Sequence, residues 1–387
     1  MPEAVIVDAL RTPIGRAFKG SLTQVRPDDM TAYVVDHLLE RNPDVDPESV
    51  EDLVCGCGMT QGEQAWNIGR ITVLLSERLP DSVTGSTIAR YCASSLNAIR
   101  VCADAIKAGD GDVYIAAGVE STSRVGPVSE ASMPDTQNPK LQGNNGTHNA
   151  YISMGETAEN VADRFNVTRE AMDEYAKRSQ DLAVEARDAG FFDREIVPVE
   201  TPDNGAVDKD DGPRPGTTVE KLAELKPAFR EDGRVTAGNS CPLNDGAAAV
   251  LLTSEEKAKE LGLEPRARVI AAATSGLEPE IMGVAPIGAI FNVLKRAGMT
   301  MQDVDVVELN EAFAAQVIPI MSECDIPLEK LNPHGGAIAL GHPFGMTGAR
   351  IMTTLLNDLE TDDKTIGLET MCVAGGQGMA MLVERLK

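Results

Sequence analysis

YCASSLNAIRVCADAIKAGDGDVYIAAGV, residues 91–119, decides the fold. Leu96, Ile99, Ala103 and Ile106 recur at steps of three and four, the spacing of one helical face. Gly109 is the residue that ends such a helix, because only glycine enters the left-handed region without cost. DVYIAAGV (112–119) then reads as a strand of small residues. The order is a cysteine, a helix and a strand. It returns near the other end of the chain, where Gly341-His342-Pro343 precedes a helix over 348–358 and a strand over 365–371. The turn GGQG (375–378) leads there into a second strand over 379–384. A reactive residue followed by helix and strand, twice, predicts two similar α/β halves packed together.

Between the two lies different material. Residues 121–244 are richer in Gly, Pro and Asn, with a helix expected over 154–165 and another after Thr168 that stops at Gly190. PDNGAVDKDDGPRPG (202–216) reads as a loop. The expected division is 1–120 with 245–268 as the N-terminal half, 121–244 as an inserted loop domain, and 269–387 as the C-terminal half. Residues 4–8, 52–58 and 304–309 read as further strands, and Pro27-Asp28-Asp29 opens a helix with acids at its positive end.

Composition narrows the function. The chain has 387 residues, 42% of them hydrophobic, enough for real cores. No run of about 20 apolar residues offers a membrane span. The first residues have neither a basic start nor an apolar run, so the cytoplasm is the expected location. Seven scattered cysteines and four histidines make neither a disulfide framework nor a zinc-ligand pattern, and no metal is expected. Sixty acidic against 35 basic residues leave a formal charge of −25, the wrong sign for nonspecific nucleic-acid binding. The excess acid reads either as a solvated surface or as adaptation to high salt, and the second is preferred here. Any anionic ligand then needs a local basic island.

Four residues carry candidate chemistry. Cys92 lies just before a helix, where free N–H groups favour a thiolate, although a cysteine there also serves as a small core residue. His342 sits in GGAIALGHPFGMTG (335–348), a loop that lets backbone approach a ligand; a neutral imidazole there takes a proton, and a structural histidine fits equally. Cys372 and Asn310 each follow a strand, and an amide at such a place positions a water or donates to an oxyanion.

RYCASSLNAIR (90–100), NEAFAAQ (310–316), GGAIALGHPFGMTGAR (335–350) and ETMCVAGGQGMA (369–380) resemble the thiolase family. DALRTPIGR (8–16), MGETAEN (154–160), VTAGNS (235–240) and LNDGAAA (243–249) are similar to it too, in the right order across nearly the whole chain. The resemblance implies a thiolase-like α/β fold with a layered α-β-α-β-α core. It implies Cys92 as the nucleophile that takes the acyl group, His342 as its base and Cys372 as the group that moves the proton at the α-carbon of acetyl-CoA. Asn310 would hold a water that forms one oxyanion hole with His342, and the backbone N–H groups of Cys92 and Ala374 would form a second. Arg214 would lie beside the coenzyme A nucleotide, and Ser153, Met154 and Cys241 along the substrate channel. Coenzyme A thioesters are then substrates, no cofactor is implied, and a homodimer or homotetramer is expected.

Three positions depart from the family pattern. Cys241 stands where many members have serine, Ser153 where the short-chain biosynthetic type often has histidine, and Ala374 where glycine is common. The first two read as changes of specificity. Ketoacyl and polyketide synthases share the fold but lack the second cysteine, and sterol-carrier-linked thiolases carry histidine in place of Asn310. A catalytically weak homologue that only binds acyl-CoA is the other class of function these departures suggest.

Overall fold

A computed structural model of the chain describes residues 2–126, 135–143 and 146–386. Twelve strands are formed there: β1 (Ala4–Arg11), β2 (Gly15–Arg16), β3 (Asp52–Cys57), β4 (Thr84–Ile88), β5 (Val113–Ser121), β6 (Val199–Thr201), β7 (Gly205–Val207), β8 (Asn244–Ser254), β9 (Ala267–Gly276), β10 (Val306–Leu309), β11 (Ile366–Val373) and β12 (Gln377–Arg385). Ten of these strands join in the order β10-β11-β12-β9-β1-β8-β5-β3-β4, with β2 on β8. At the centre the continuity is thin, since β1 meets β9 through only Val5–Arg268 and Ile6–Ala267.

On either side of that join the topology repeats. Four strands on one side, taken in chain order, are β1, β3, β5 and β8; on the other they are β9, β10, β11 and β12. In both sets the spatial order is second, third, fourth, first. The second and third strands run parallel, and the remaining neighbours antiparallel. A parallel pair needs a crossover, and the two crossovers carry the helices Ser94–Ala108 and Thr347–Thr361. A further strand, β4, extends the first set parallel to β3. Its counterpart in the second set is a single parallel bridge between Val307 and Leu331.

The two crossover helices pack together between the halves. Leu96, Ile99 and Ile106 meet Met352, Leu355 and Leu356, and Val54, Ala116, Val250, Met371 and Met381 close over them from the strands. Alternate residues of each strand face the other way. On β8, Ala248, Val250 and Leu252 point to the central helices, whereas Ala247, Ala249 and Leu251 pack under the helix Pro27–Arg41 through Val34, Val35 and Leu38. The outer face of the second set is covered by Ala285–Ala297 through Ala289, Ile290 and Val293. These are the five layers, helix, strands, helix, strands, helix. Strands buried on both faces have to be apolar throughout, which is why β5 reads as VYIAAGV.

The intervening region holds the helices Met154–Arg164 and Arg169–Asp188, each started by a side-chain cap, Ser153 onto the Glu156 N–H and Thr168 onto the Ala171 N–H. One expectation needs correction: the run 202–216 is not all loop, because β7 within it pairs with β6. Gly205 takes φ +63° at the tight return between them, where glycine carries no steric cost. Among the described residues no helix is long and apolar enough to cross a membrane, and no group of three or more His, Cys, Asp or Glu is arranged to hold a metal ion.

Candidate active site

Cys92 occupies a single 3-10 turn, Tyr91–Ala93, that feeds directly into the helix Ser94–Ala108. Tyr91 holds φ +45°, a left-handed conformation that costs a non-glycine residue energy and turns the chain sharply before the thiol. The Arg90 N–H donates to Ser94 Oγ at 2.9 Å and steadies the turn. Beneath it the helix lies directly on backbone: a Cβ on Gly56 of β3 would come within 2.2 Å of the Ser95 nitrogen. The turn also packs against β11 and against the helix Thr347–Thr361, so the two halves meet at the thiol. Cys92 is buried. Burial pushes its thiol well up, and the neighbouring Cys372 and Cys241 push it further. Loss of solvation thus outweighs the helix start that was expected to favour a thiolate.

His342 is held by contacts from both halves. Gly341, at φ +116°, passes so close to Asn244 that a Cβ would clash at 2.6 Å. The same Asn244 accepts the His342 N–H through Oδ1 at 2.9 Å. The imidazole Nδ1 lies 2.6 Å from Thr347 Oγ1, and that hydroxyl donates its one proton to the Pro343 carbonyl at 2.8 Å. Thr347 must then accept from Nδ1–H, which leaves Nε2 as a free base. Asn310 Nδ2 approaches Nε2 at 3.3 Å as a donor. Burial, followed by the charge of Arg350, pushes His342 down to about 3, so the ring is neutral at physiological pH.

Asn310 follows β10, and its N–H donates to the Thr370 carbonyl at 3.0 Å. Its Oδ1 is buried without a protein partner. Cys372 is the penultimate residue of β11; its Sγ donates to Gln316 Oε1 at 3.4 Å, and burial pushes it up to about 12. Cys92 and Cys372 are thus neighbouring buried thiols, and the neutral His342 ring accepts from the Asn310 amide just before the second crossover helix.

The family description "Thiolase, N-terminal domain" matches residues 4–256, and "Thiolase, C-terminal domain" matches 263–385. The chain belongs to the thiolase family. It is 45% identical to the 3-oxoadipyl-CoA/3-oxo-5,6-dehydrosuberyl-CoA thiolase of Escherichia coli strain K12, with 100% of both chains covered. It is 46% identical to a 3-ketoacyl-CoA thiolase of Stutzerimonas stutzeri, over 99% of this chain and 98% of that one. The solved acetyl-CoA acetyltransferase of Bacillus anthracis superposes with a TM-score of 0.91 at 39% identity, covering 100% of this chain and 99% of that one. As a thiolase the protein is an acyltransferase that breaks and forms a carbon–carbon bond between acyl groups on coenzyme A.

The other residues anticipated for this thiolase fall into two groups. Cys241 belongs with the thiols: its N–H donates to the Ala312 carbonyl at 3.0 Å, and burial and then Cys372 push its thiol up. Met154 packs in the same apolar cluster as Cys241 and Cys372. Ala374 begins the turn after β11. It does not adopt positive φ, which Gly375 and Gly376 take instead at +80° and +81°, so a Cβ is tolerated where glycine is common. Gln377 ties this turn to the Cys92 elbow, donating to the Ala374 carbonyl at 3.3 Å and accepting from Arg90 Nη1 at 3.3 Å. Ser153 caps its helix, and the Arg214 backbone N–H donates to Gln180 Oε1 at 2.8 Å. Burial and then the charge of Arg16 push the Arg214 guanidinium down, so two cations sit close together on a very acidic protein.

Sequence reasoning missed four residues of the site. Thr347, Gln316 and Asn244 lie inside the quoted blocks, Thr347 five residues after His342 and Gln316 six after Asn310. Glu120 gave no local signal, because its partners Gly58, Gln64 and Gly345 are distant in sequence.

Proposed function

We propose that Cys92, His342, Asn310 and Cys372 carry out thiolysis of a 3-ketoacyl-CoA and, in reverse, its Claisen condensation. In cleavage Cys92 Sγ attacks the 3-keto carbon as its proton passes to His342 Nε2. The oxyanion is held by the imidazolium and by a water on Asn310. Collapse breaks the bond between C2 and C3 and leaves the acyl group on Cys92. The departing acetyl-CoA enolate takes a proton at carbon from Cys372. Coenzyme A then gives its thiol proton to the Cys372 thiolate and attacks acyl-Cys92, with the N–H groups of Cys92 and Ala374 on the second oxyanion. Cys92 leaves as a thiolate and regains its proton from His342. Protons and electrons balance without a cofactor or metal, and coenzyme A thioesters enter as substrates.

The observation that carries this reading is the Thr347–His342–Asn310 chain, which supports a neutral base for a nucleophile too buried to ionise alone. Arg214 with Arg16 supplies the basic island that the nucleotide phosphates need. Ser153, small and held by its own helix, favours acyl chains longer than acetoacetyl. The relatives named as 3-oxoadipyl-CoA and 3-ketoacyl-CoA thiolases support the same direction. A homodimer is part of the proposal: β4 is an edge strand, and Trp66, Leu74 and Leu75 beside it are exposed. The cytoplasm is its proposed location.

A thiolysis assay with coenzyme A tests this, comparing acetoacetyl-CoA with six- and eight-carbon 3-ketoacyl-CoA in low and high salt. Turnover of the longer esters that disappears in Cys92→Ser is the expected result. Higher activity in concentrated salt would support salt adaptation. No turnover by a folded protein would favour an acyl-CoA-binding subunit instead.

A further inference from the structure

Among the buried acids that the mechanism leaves unused, Glu120 is the one that bonds the histidine loop. Glu120 is the penultimate residue of β5 and is wholly buried. Each of its carboxylate oxygens receives two N–H donors. Oε2 takes the Gly58 N–H at 2.9 Å and the Gly345 N–H at 3.0 Å. Oε1 takes the Met59 N–H at 3.3 Å and Gln64 Nε2 at 2.5 Å. Gly345 lies three residues after His342, in the same loop. Gly58 and Met59 continue β3, the strand on which the Cys92 helix rests. One side chain therefore bonds the loop of the base to the strand beneath the nucleophile.

Backbone contact around Glu120 is close. A Cβ on Gly345 would come within 2.2 Å of the Val119 carbonyl and 2.7 Å of the Gly58 nitrogen. One on Gly118 would lie 2.4 Å from Ser95 Cβ and 2.5 Å from the Gly345 carbonyl. The histidine loop and the start of the Cys92 helix thus sit on the same glycine floor, and a small shift in one displaces the other. Sub-ångström placement of base against nucleophile governs rate.

We propose that Glu120 is a positioning residue of the reaction: its carboxylate fastens Gly345 to the end of β3 and so fixes His342 relative to the Cys92 turn. The inference rests on the reading of His342 as base. Both oxygens are needed as acceptors. In Glu120→Gln one of them becomes an NH2 group facing two donors, and in the protonated acid one becomes a hydroxyl facing two donors. Burial pushes Glu120 up to about 7, against the donors that hold it down, so this happens near neutral pH. The titratable groups facing it are the thiols of Cys55 and Cys57 on β3 and of Cys92. Those thiols are pushed upward, and His342 lies near 3, so none of these groups produces an acid limb near pH 7.

The test is the pH profile of kcat for the wild type, Glu120→Gln, Gln64→Leu and His342→Ala. The wild type should lose activity as pH falls through about 7. Glu120→Gln should have kcat lowered roughly 10- to 100-fold at all pH values, with KM for coenzyme A within about twofold and no acid limb near 7. Gln64→Leu removes one donor from the anion, so its limb should move to higher pH; this keeps the proposal testable if Glu120→Gln does not fold. A wild-type rate in Glu120→Gln, or a limb that stays in place in both variants, would overturn the positioning role. An inactive His342→Ala beside an active Glu120→Gln would overturn that role alone. An active His342→Ala would remove the reading of the base on which it rests.

Discussion

The two halves have the same chain path and opposite chemistry. In each, the third strand follows the crossover helix, and its penultimate residue is paired with a glycine on the fourth strand: Glu120 with Gly246 in one, Cys372 with Gly378 in the other. At this equivalent position one half holds a carboxylate locked by four donors and the other a thiol with a single partner, Gln316 Oε1. The helix starts differ in the same way. Ser94 Oγ donates to the Tyr91 carbonyl at 2.6 Å and shapes the nucleophile's turn. Thr347 Oγ1 donates to the Pro343 carbonyl at 2.8 Å and fixes the tautomer of His342. A repeated framework carries two helix starts and two strand ends, and in the proposed reaction the side chains there decide which half supplies nucleophile and which supplies acid and base.

The strongest way to break this comparison is to remove the nucleophile. Cys92→Ser should lower thiolysis by on the order of 10⁴-fold or more, because a hydroxyl is a far weaker nucleophile than a sulfur at neutral pH. Acyl labelling from acetyl-CoA should vanish with it, read by mass spectrometry of the intact protein. Label retained at Cys372 would mean that the halves exchange roles. Removing the tautomer lock should cost less. Thr347→Val leaves the Nδ1 proton without its acceptor, and kcat should fall roughly tenfold to a hundredfold with little change in KM. A rate equal to that of the wild type would show that the Thr347 hydroxyl does not set the base.

The smallest effect is on stability. His342 stays neutral in the folded protein down to about 3, whereas its ordinary value is 6.5. On acidification below 6.5 the unfolded chain gains a proton there and the folded chain does not, so folding stability falls as pH drops through that window. His342→Gln should lose less stability than the wild type between pH 6.5 and 4.5, measured as a difference in thermal midpoint. An identical slope in both would mean that the imidazole is not held neutral.

Much of this was legible in the sequence because its signals are local. The face Leu96, Ile99, Ala103, Ile106 and the stop at Gly109 correspond to the helix Ser94–Ala108, and Gly109 holds φ +78°. The order of cysteine, helix and strand exposed the repeat, and the structure sets Cys92 near Cys372 and Asn310 Nδ2 at 3.3 Å from His342 Nε2. The ionisation of Cys92 was not legible, since the helix start is local and the burial that overrides it comes from β11 and the second crossover helix. Glu120 was silent for the same reason. In sequence it is one acid among 60 acidic residues, and only the fold carries Gly345 to it from 225 positions away. The hairpin of β6 and β7 was hidden in a run rich in Gly, Asp and Pro, where short strands leave little periodicity.

The division of labour between the two thiols is the central claim, and Cys372→Ala tests it most directly. Two half-reactions are measured on this one variant: transfer of an acetyl group from acetyl-CoA to Cys92, and exchange of the α-hydrogens of acetyl-CoA with deuterated water. The account predicts near-normal acetylation of Cys92 with α-exchange and carbon–carbon cleavage lowered by on the order of 10³-fold. Equal loss of acetylation and exchange, in a folded protein, would contradict it.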